Sequence, residues 1–162
     1  MIRKIEKSDI SECVEVIKAA FMSVADEFGF TKDNAPKFTA FAISKEKLIQ
    51  QYEDCRLMYV FHNGSRIAGF YSLELSENGE CELNNLSVLP EYRHKGIGGK
   101  LLFHAFDEAR KLDCKIMKIS IVEENTLLRK WYESHGFVHT GSKKFDFFPF
   151  TCGYMEKELI IA

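Results

Sequence analysis

Apolar residues recur at helical spacing in some parts of the chain and at alternate positions in most of the rest. Gly29 ends the first helical pattern, and Asp9-x-x-Glu12 predicts a capping box near its start. Residues 30–43 show no clear period, which predicts a loop or a broken helix. The helices predicted in this way span residues 8–28, 44–52, 96–112 and 125–135.

Alternating apolar and polar residues predict the strands. Asn63-Gly64 and Asn78-Gly79 each lie between apolar runs, a strong signal for a hairpin turn. The predicted strands span residues 2–5, 57–61, 67–73, 80–89, 116–121, 138–147 and 153–160. Connections are short and no linker is evident, so the chain of 162 residues is predicted to be a single α/β domain with a mixed sheet.

The strand predicted over residues 80–89 changes phase. Cys81 and Leu83 are apolar at odd positions, whereas Leu86 and Val88 are apolar at even ones. One extra residue near Asn84-Asn85 would produce this shift, which predicts a β-bulge. A bulge bends its strand away from the neighbouring strand, so we expect a slot between the two.

A glycine-containing loop follows this strand, at the start of the helix predicted over residues 96–112. Glycines at a helix N-terminus leave backbone N–H groups free, and these groups, the helix dipole and nearby basic side chains favour a pyrophosphate. Leu101 follows Gly99-Lys100, so the spacing fits neither a P-loop nor the Rossmann fingerprint. The predicted phosphate-binding residues are Arg93, His94, Lys95, Gly96, Ile97, Gly98, Gly99 and Lys100.

Arg93-x-x-Gly96-x-Gly98 resembles the acyl-CoA-binding motif of the GNAT superfamily of N-acyltransferases. A second segment, from Asn125 to Gly136-Phe137, resembles the family's other hallmark, and the two lie in order within roughly the half of the chain from 80 to 140. The resemblance implies a mostly antiparallel sheet of about six to seven strands flanked by about four helices. It also implies a splayed fourth strand with a bulge, which agrees with the phase shift.

The resemblance further implies that acetyl-CoA is the co-substrate. The main chain of Leu86 and Val88 would pair with the pantetheine arm, as an added strand pairs with a sheet edge. Asn125 would both cap its helix and contact the cofactor. A backbone N–H of the bulged strand would face the thioester oxygen as it gains negative charge.

Transfer to an amine requires a base, because an alkyl ammonium has a pKa near ~10.4. By resemblance Glu82 is the candidate base, with Glu80 on the same strand face as the reserve, and both also fit a solvated strand face. Tyr132 matches the tyrosine that protonates the departing thiolate in this family, although an aromatic packed on the sheet explains it too.

Composition limits the partners and cofactors that the protein is expected to have. A net charge of −2 argues against nucleic acid as a partner, and no apolar run reaches membrane-spanning length. The 5 cysteines are odd in number and lack a C-x-x-C pair, which is typical of reduced thiols in a cytoplasmic protein. His62, His135 and His139 have no carboxylate or cysteine partner at metal-ligand spacing, so no metal is expected. His104 is expected to be solvated.

We therefore expect an N-acetyltransferase that moves acetyl from acetyl-CoA to a primary amine of a small molecule or peptide by direct attack. No cysteine occupies a recognisable catalytic position, which disfavours an acyl-cysteine route. A non-catalytic acyl-CoA-binding sensor or scaffold is the alternative. Phenylalanines around residues 28–41 and 145–150 either line an apolar acceptor pocket or close the core, and a homodimer through the last strands is possible.

Overall fold

All strands belong to one sheet, in the order β1-β2-β3-β4-β5-β7-β6. The computed structural model describes residues 1–159. The strands are β1 (Ile2–Lys4), β2 (Leu57–His62), β3 (Ile67–Leu75), β4 (Glu80–Val88), β5 (Ile116–Val122), β6 (Val138–Lys144) and β7 (Thr151–Glu158). The helices are α1 (Ile10–Phe28), α2 (Thr39–Ala42), α3 (Lys45–Glu53), α4 (Ile97–Lys111) and α5 (Thr126–Ser134). Short 3₁₀ turns cover Lys7–Asp9 and Pro90–Tyr92.

Helices cover both faces of the sheet. α1 and α3 pack on one face, where Ile17 and Leu48 join Phe70 of β3 in a buried cluster. α4 and α5 pack on the other face, where Leu101 and Tyr132 join a second cluster. Neighbouring strands are antiparallel except β4 and β5, which are parallel. The predicted α/β fold with a mixed, mostly antiparallel sheet is confirmed.

A third, aromatic cluster joins the C-terminal half of α1 to the loop before β7. Phe30 and Phe38 pack against Phe150 with ring centroids 4.8 and 5.6 Å away. All three rings are buried, and Val122 at the end of β5 belongs to the same cluster. Phe147, in contrast, remains 43% exposed. The phenylalanine-rich segments thus close one end of the core and also extend to the surface.

Local capping signals in the sequence predict most helix ends correctly. Ser44 accepts a hydrogen bond from the N–H of Lys47, and Gly29 ends α1 with φ of 74°. The predicted capping box of Asp9 and Glu12 is wrong, because a 3₁₀ turn precedes α1. The Asp9 carboxylate instead accepts from the Glu6 N–H at 2.7 Å and from Arg3 at 2.8 Å.

β4 carries the predicted bulge. Against β3, Ser72 pairs with Asn84 and Phe70 with Ser87, so one residue of β3 lies opposite two of β4. Asn85, one of those two, has a left-handed φ of 55°. The predicted bulge near Asn84-Asn85 is therefore confirmed.

The later strands differ from the prediction at their ends. β6 ends at Lys144 rather than at Phe147, because residues 145–150 turn to pack their rings together. Leu112, the predicted last residue of its helix, lies just beyond the end of α4 and is 45% exposed. Ile160, the predicted end of the last strand, lies outside the described residues. In residues 1–159 no helix has the length and apolarity needed to cross a membrane.

Candidate active site

A gap between β4 and β5 is the centre of the candidate site. The two strands are paired only at Glu80–Ile116, Cys81–Met117 and Glu82–Lys118. Beyond Glu82, β4 keeps its ladder with β3 and β5 keeps its ladder with β7, so the two strands diverge. The edge of β4 that faces β5 then offers backbone groups to a ligand rather than to a strand.

Two buried serines support the backbone of the bulge. Ser87 donates its hydroxyl to the Asn85 carbonyl at 2.8 Å, and Ser72 donates to the Asn84 carbonyl at 3.4 Å. Both side chains are fully enclosed. These bonds give both buried hydroxyls a partner and tie them to the main chain of the bulge, which supports the bend beside the gap.

Free backbone donors lie where the predicted phosphate-binding loop meets α4. Within residues 1–159, no N–H group from His94 to Gly99 donates a hydrogen bond, and the next one, of Lys100, donates to the Gly96 carbonyl at 3.1 Å. Left-handed conformations at His94 (φ 62°) and Gly96 (φ 80°) turn the chain into the helix. The loop therefore has the run of free donors at a helix N-terminus that an anionic group favours.

The basic side chains of this loop do not converge. Arg93 turns towards α1 and donates to the Ala20 carbonyl at 3.1 Å. Lys95 lies over the Tyr92 ring at 5.3 Å. His94 and Lys100 are exposed, whereas Ile97 is buried in the core. The main chain of the loop, rather than a cluster of positive side chains, is the feature that fits a phosphate.

α5 and β4 both reach the loop at Gly98. A Cβ atom added at Gly98 would lie 3.5 Å from the Trp131 ring and 3.8 Å from a methyl group of Val88. Leu86 and Val88 are half-buried against the core under α4. The predicted cofactor residues of β4 therefore lie beside the glycine loop.

A cleft of about 340 Å³ lies on the sheet face that carries α1. Glu82, Lys118 and Ser120 line it from β4 and β5, and Tyr154 and Glu156 line it from β7. Ile119, which belongs to the core on the opposite face, also lines the cleft. Because Glu82 and Lys118 form the last pair before β4 and β5 diverge, the cleft lies beside the start of the gap.

Glu82 is the carboxylate best suited to accept a proton in this cleft. Its side chain is exposed to the cleft, yet burial by the surrounding strands, followed by repulsion from Glu74, raises its pKa. Glu80, the reserve candidate, forms an ion pair with Lys118 at 2.8 Å. That pair also raises the pKa of Lys118 and leaves Glu82 as the more available base.

Tyr132 lies on the other side of the sheet. Its ring packs edge-on against Trp131 and Phe137, with centroids 5.0 and 5.3 Å apart. Burial raises its pKa, so the hydroxyl stays protonated across the physiological range. Within residues 1–159 the hydroxyl forms no hydrogen bond with another residue, which leaves its proton available.

The candidate base and acid therefore occupy opposite faces of the sheet. Cys81 and Leu83 face the core that contains Tyr132, so Glu82 between them points to the other face. Both residues can act on one group only where the sheet is open, and the gap opens immediately beyond Glu82. A group held in the gap would therefore be open to Glu82 from one face of the sheet and to Tyr132 from the other.

The predicted role of Asn125 as a helix cap is confirmed. Its side-chain oxygen accepts from the Leu128 N–H at 3.2 Å at the start of α5. The cap fixes α5 beside the end of β5. Its contact with a cofactor stays a prediction.

Sequence reasoning missed the part of the cleft that β7 supplies. Tyr154 pairs with Ser120 across β5 and β7, and Glu156 pairs with Lys118. Burial, followed by Cys152 and Glu82, raises the pKa of Tyr154. Alternation in β7 could indicate which residues share a face, but the insertion of β7 between β5 and β6 depends on the topology.

The expectation for His104 is wrong, and His139 gains a partner from the fold. His104 is half-buried, its Nδ1 forms a hydrogen bond with the Tyr71 hydroxyl at 2.7 Å, and burial lowers its pKa. His139 lies 2.8 Å from Glu123, a carboxylate that sequence spacing did not connect to it. In the described chain up to residue 159, no three potential ligands among His, Cys, Asp and Glu converge on one point.

Comparison with known proteins gives a family match over most of the chain. A sequence model described as the Acetyltransferase (GNAT) family matches residues 24–137. An uncharacterized N-acetyltransferase of Escherichia coli K12, YjgM, is 28% identical over 146 residues, which cover 86% of this chain and 82% of that protein.

Solved structures show the same fold. The PaiA N-acetyltransferase from Thermoplasma acidophilum, in complex with coenzyme A, superposes with a TM-score of 0.81 at 23% identity and covers 98% of each chain. A putative acetyltransferase from Salmonella typhimurium, YncA, with acetyl-CoA, gives a TM-score of 0.78 at 22% identity and covers 100% of this chain and 95% of that one.

Proposed function

Because the chain belongs to the acetyltransferase (GNAT) family, we propose that it transfers an acetyl group from acetyl-CoA to a primary amine of a small molecule or peptide. The observation that carries this proposal is the gap between β4 and β5, with free N–H groups beside it and Glu82 and Tyr132 on its opposite faces. Acetyl transfer in general follows from the family. The amine acceptor and the residue roles are the proposed part.

The glycine loop would hold the pyrophosphate of acetyl-CoA. The N–H groups from His94 to Gly99 are free to donate, and the N-terminus of α4 adds the positive end of its dipole. The free edge of β4 at Leu86 and Val88 fits the amide groups of a pantetheine arm. The relatives from Thermoplasma and Salmonella, whose structures contain coenzyme A or acetyl-CoA, support this choice of co-substrate.

The proposed reaction is a direct attack in a ternary complex. Glu82 accepts a proton from the substrate ammonium, and the nitrogen lone pair then attacks the thioester carbon. The C–N bond forms, the C–S bond breaks, and the Tyr132 hydroxyl donates its proton to the departing sulfur. The proton that must then leave the nitrogen passes to the phenolate and restores the phenol, and Glu82 releases its proton to solvent. A backbone N–H of β4 stabilises the oxyanion.

A replacement at Gly96 tests the loop separately from the chemistry. Its φ of 80° is left-handed, which a β-branched residue rarely adopts. Gly96→Val is expected to raise the Kd for CoA by about 10-fold, because the strain of roughly 1–2 kcal/mol displaces the free N–H groups. Isothermal titration calorimetry with CoA measures the change.

Gly79→Val is the matched control for that strain. Gly79 has a φ of 79°, lies in the turn between β3 and β4, and also has open space around the added Cβ. It should lose a similar amount of stability but bind CoA like the wild type. Equal losses of CoA affinity in both variants would contradict the assignment of the loop.

Release of CoA thiol tests the proposed function. Acetyl-CoA is incubated with the protein and with separate panels of polyamines, amino acids, aminoglycosides and lysine peptides, and a thiol-reactive dye reports the free CoA. Release above the hydrolysis background with one class of amine is the expected result. CoA binding without acceleration by any of these amines would favour the non-catalytic binding module. The cytoplasmic location and the homodimer stay predictions.

A further inference from the structure

Arg93 is the basic residue of the phosphate-binding loop whose side chain forms a hydrogen bond with α1. Its Nη2 donates to the Ala20 carbonyl in the middle of α1 at 3.1 Å. The side chain is half-buried, and loss of water lowers its pKa, an effect that nearby Glu27 opposes. Its neighbours His94, Lys95 and Gly96 are all exposed.

The acceptor of this hydrogen bond is a specific point on α1. The Ala20 carbonyl also accepts from the Ser23 hydroxyl at 2.7 Å, and the helical pattern directs the Val24 N–H to it as well. Ala20 and Glu27 lie two turns apart on one face of α1, so this face presents a carbonyl and a carboxylate to the guanidinium. A cation with several donors fits that face better than an apolar residue would.

On its other side, the same turn of α1 contacts the cluster of Phe30, Phe38 and Phe150, which forms an aromatic wall. Phe21 follows Ala20 and packs edge-on against Phe38, with centroids 5.8 Å apart. Phe38 in turn contacts Phe150, in the loop before β7. One turn of α1 therefore touches the phosphate-binding loop through Arg93 and the aromatic wall through Phe21.

From this geometry we infer that Arg93 is a positioning residue, which anchors the glycine loop to α1 and fixes its distance from the aromatic wall, and is not a phosphate ligand. The inference rests on the proposed function only in naming the loop as the site of the CoA pyrophosphate. The main chain of the loop then binds the phosphate, and the side chain of Arg93 holds the loop against α1.

NMR of the Ala20 carbonyl carbon tests the anchor without any turnover. In Arg93→Gln the side chain is too short to reach Ala20, so the Ala20 carbonyl and the Phe21 and Phe38 ring resonances should shift in the absence of CoA. Titration of the wild type with CoA should leave the Ala20 carbonyl away from the Arg93→Gln position. If CoA moves it to that position, the guanidinium leaves α1 for the phosphate and the inference is wrong.

Binding and a conservative variant complete the test. Arg93→Gln is expected to weaken CoA binding by about 10-fold, the effect of losing one hydrogen bond from a charged group. Arg93→Lys should recover part of both the affinity and the Ala20 shift. Lys95→Gln removes a charge from the same loop, and it should weaken CoA binding without moving the Ala20 carbonyl. An unchanged Ala20 carbonyl in Arg93→Gln would overturn the anchor, whatever the outcome for acetyl transfer.

Discussion

Replacing Glu82 with Gln is expected to lower kcat by about 100-fold at neutral pH, because a positioned general base contributes roughly 10²–10⁴-fold. The amide keeps the size of the side chain but cannot accept the ammonium proton. CoA affinity should not change, since the glycine loop lies at the other end of β4. Steady-state thiol release gives kcat, and calorimetry with CoA gives the affinity in the same preparation.

The raised pKa of Glu82 sets the direction in which activity should change with pH. Burial and Glu74 raise the pKa of Glu82 above its ordinary value of 4.5, and the base works only when it is deprotonated. Activity should therefore rise with pH through the raised pKa, and Glu82→Gln should lose this acidic limb.

Glu80→Gln is the matched control: it frees Lys118 from its ion pair, and the released cation should shift the limb to lower pH. A large loss of kcat in Glu80→Gln alone would identify Glu80 as the base.

Replacing Tyr132 with Phe is expected to lower kcat by about 100-fold, because the departing thiolate loses its proton donor. The ring contacts with Trp131 and Phe137 remain, and the hydroxyl bonds to none of residues 1–159. The thermal midpoint should therefore stay within about 2 °C of the wild type. Thiol release and a thermal unfolding curve separate the two effects.

Burial raises the pKa of Tyr132, so no loss of activity from its ionisation is expected below its ordinary value of 10. Tyr154→Phe is the control on the opposite face of the sheet, where Tyr154 lines the same cleft as Glu82. It should change the KM for the amine more than kcat. A normal kcat in Tyr132→Phe would remove Tyr132 as the acid.

The sequence carried enough information to predict the elements and the bulge. Phase shifts such as that between Leu83 and Leu86 are local, and so are caps such as Ser44 and Asn125, whose bonds form within three residues. Errors arose where tertiary contacts compete with local preference. Asp9 caps an earlier turn because Arg3 binds its carboxylate, and residues 145–150 leave the strand to pack their rings.

The site was predicted less completely, because the residues that form it are far apart in the chain. The resemblance indicated Glu82 and Tyr132, and only the fold places them on opposite faces of the sheet. Tyr154 and Glu156 enter the cleft through a strand order that no local pattern contains. The direction of Arg93 depends on Ala20, which lies 73 residues away along the chain.

The central claim is that one thioester, held in the gap between β4 and β5, is attacked with the help of Glu82 and released with the help of Tyr132. The most direct test is thiol release by a protein with both Glu82→Gln and Tyr132→Phe, measured beside its affinity for CoA. The account predicts wild-type CoA affinity and release at the hydrolysis background with every amine that the wild type acetylates. Release at the wild-type rate, with CoA still bound, would contradict it.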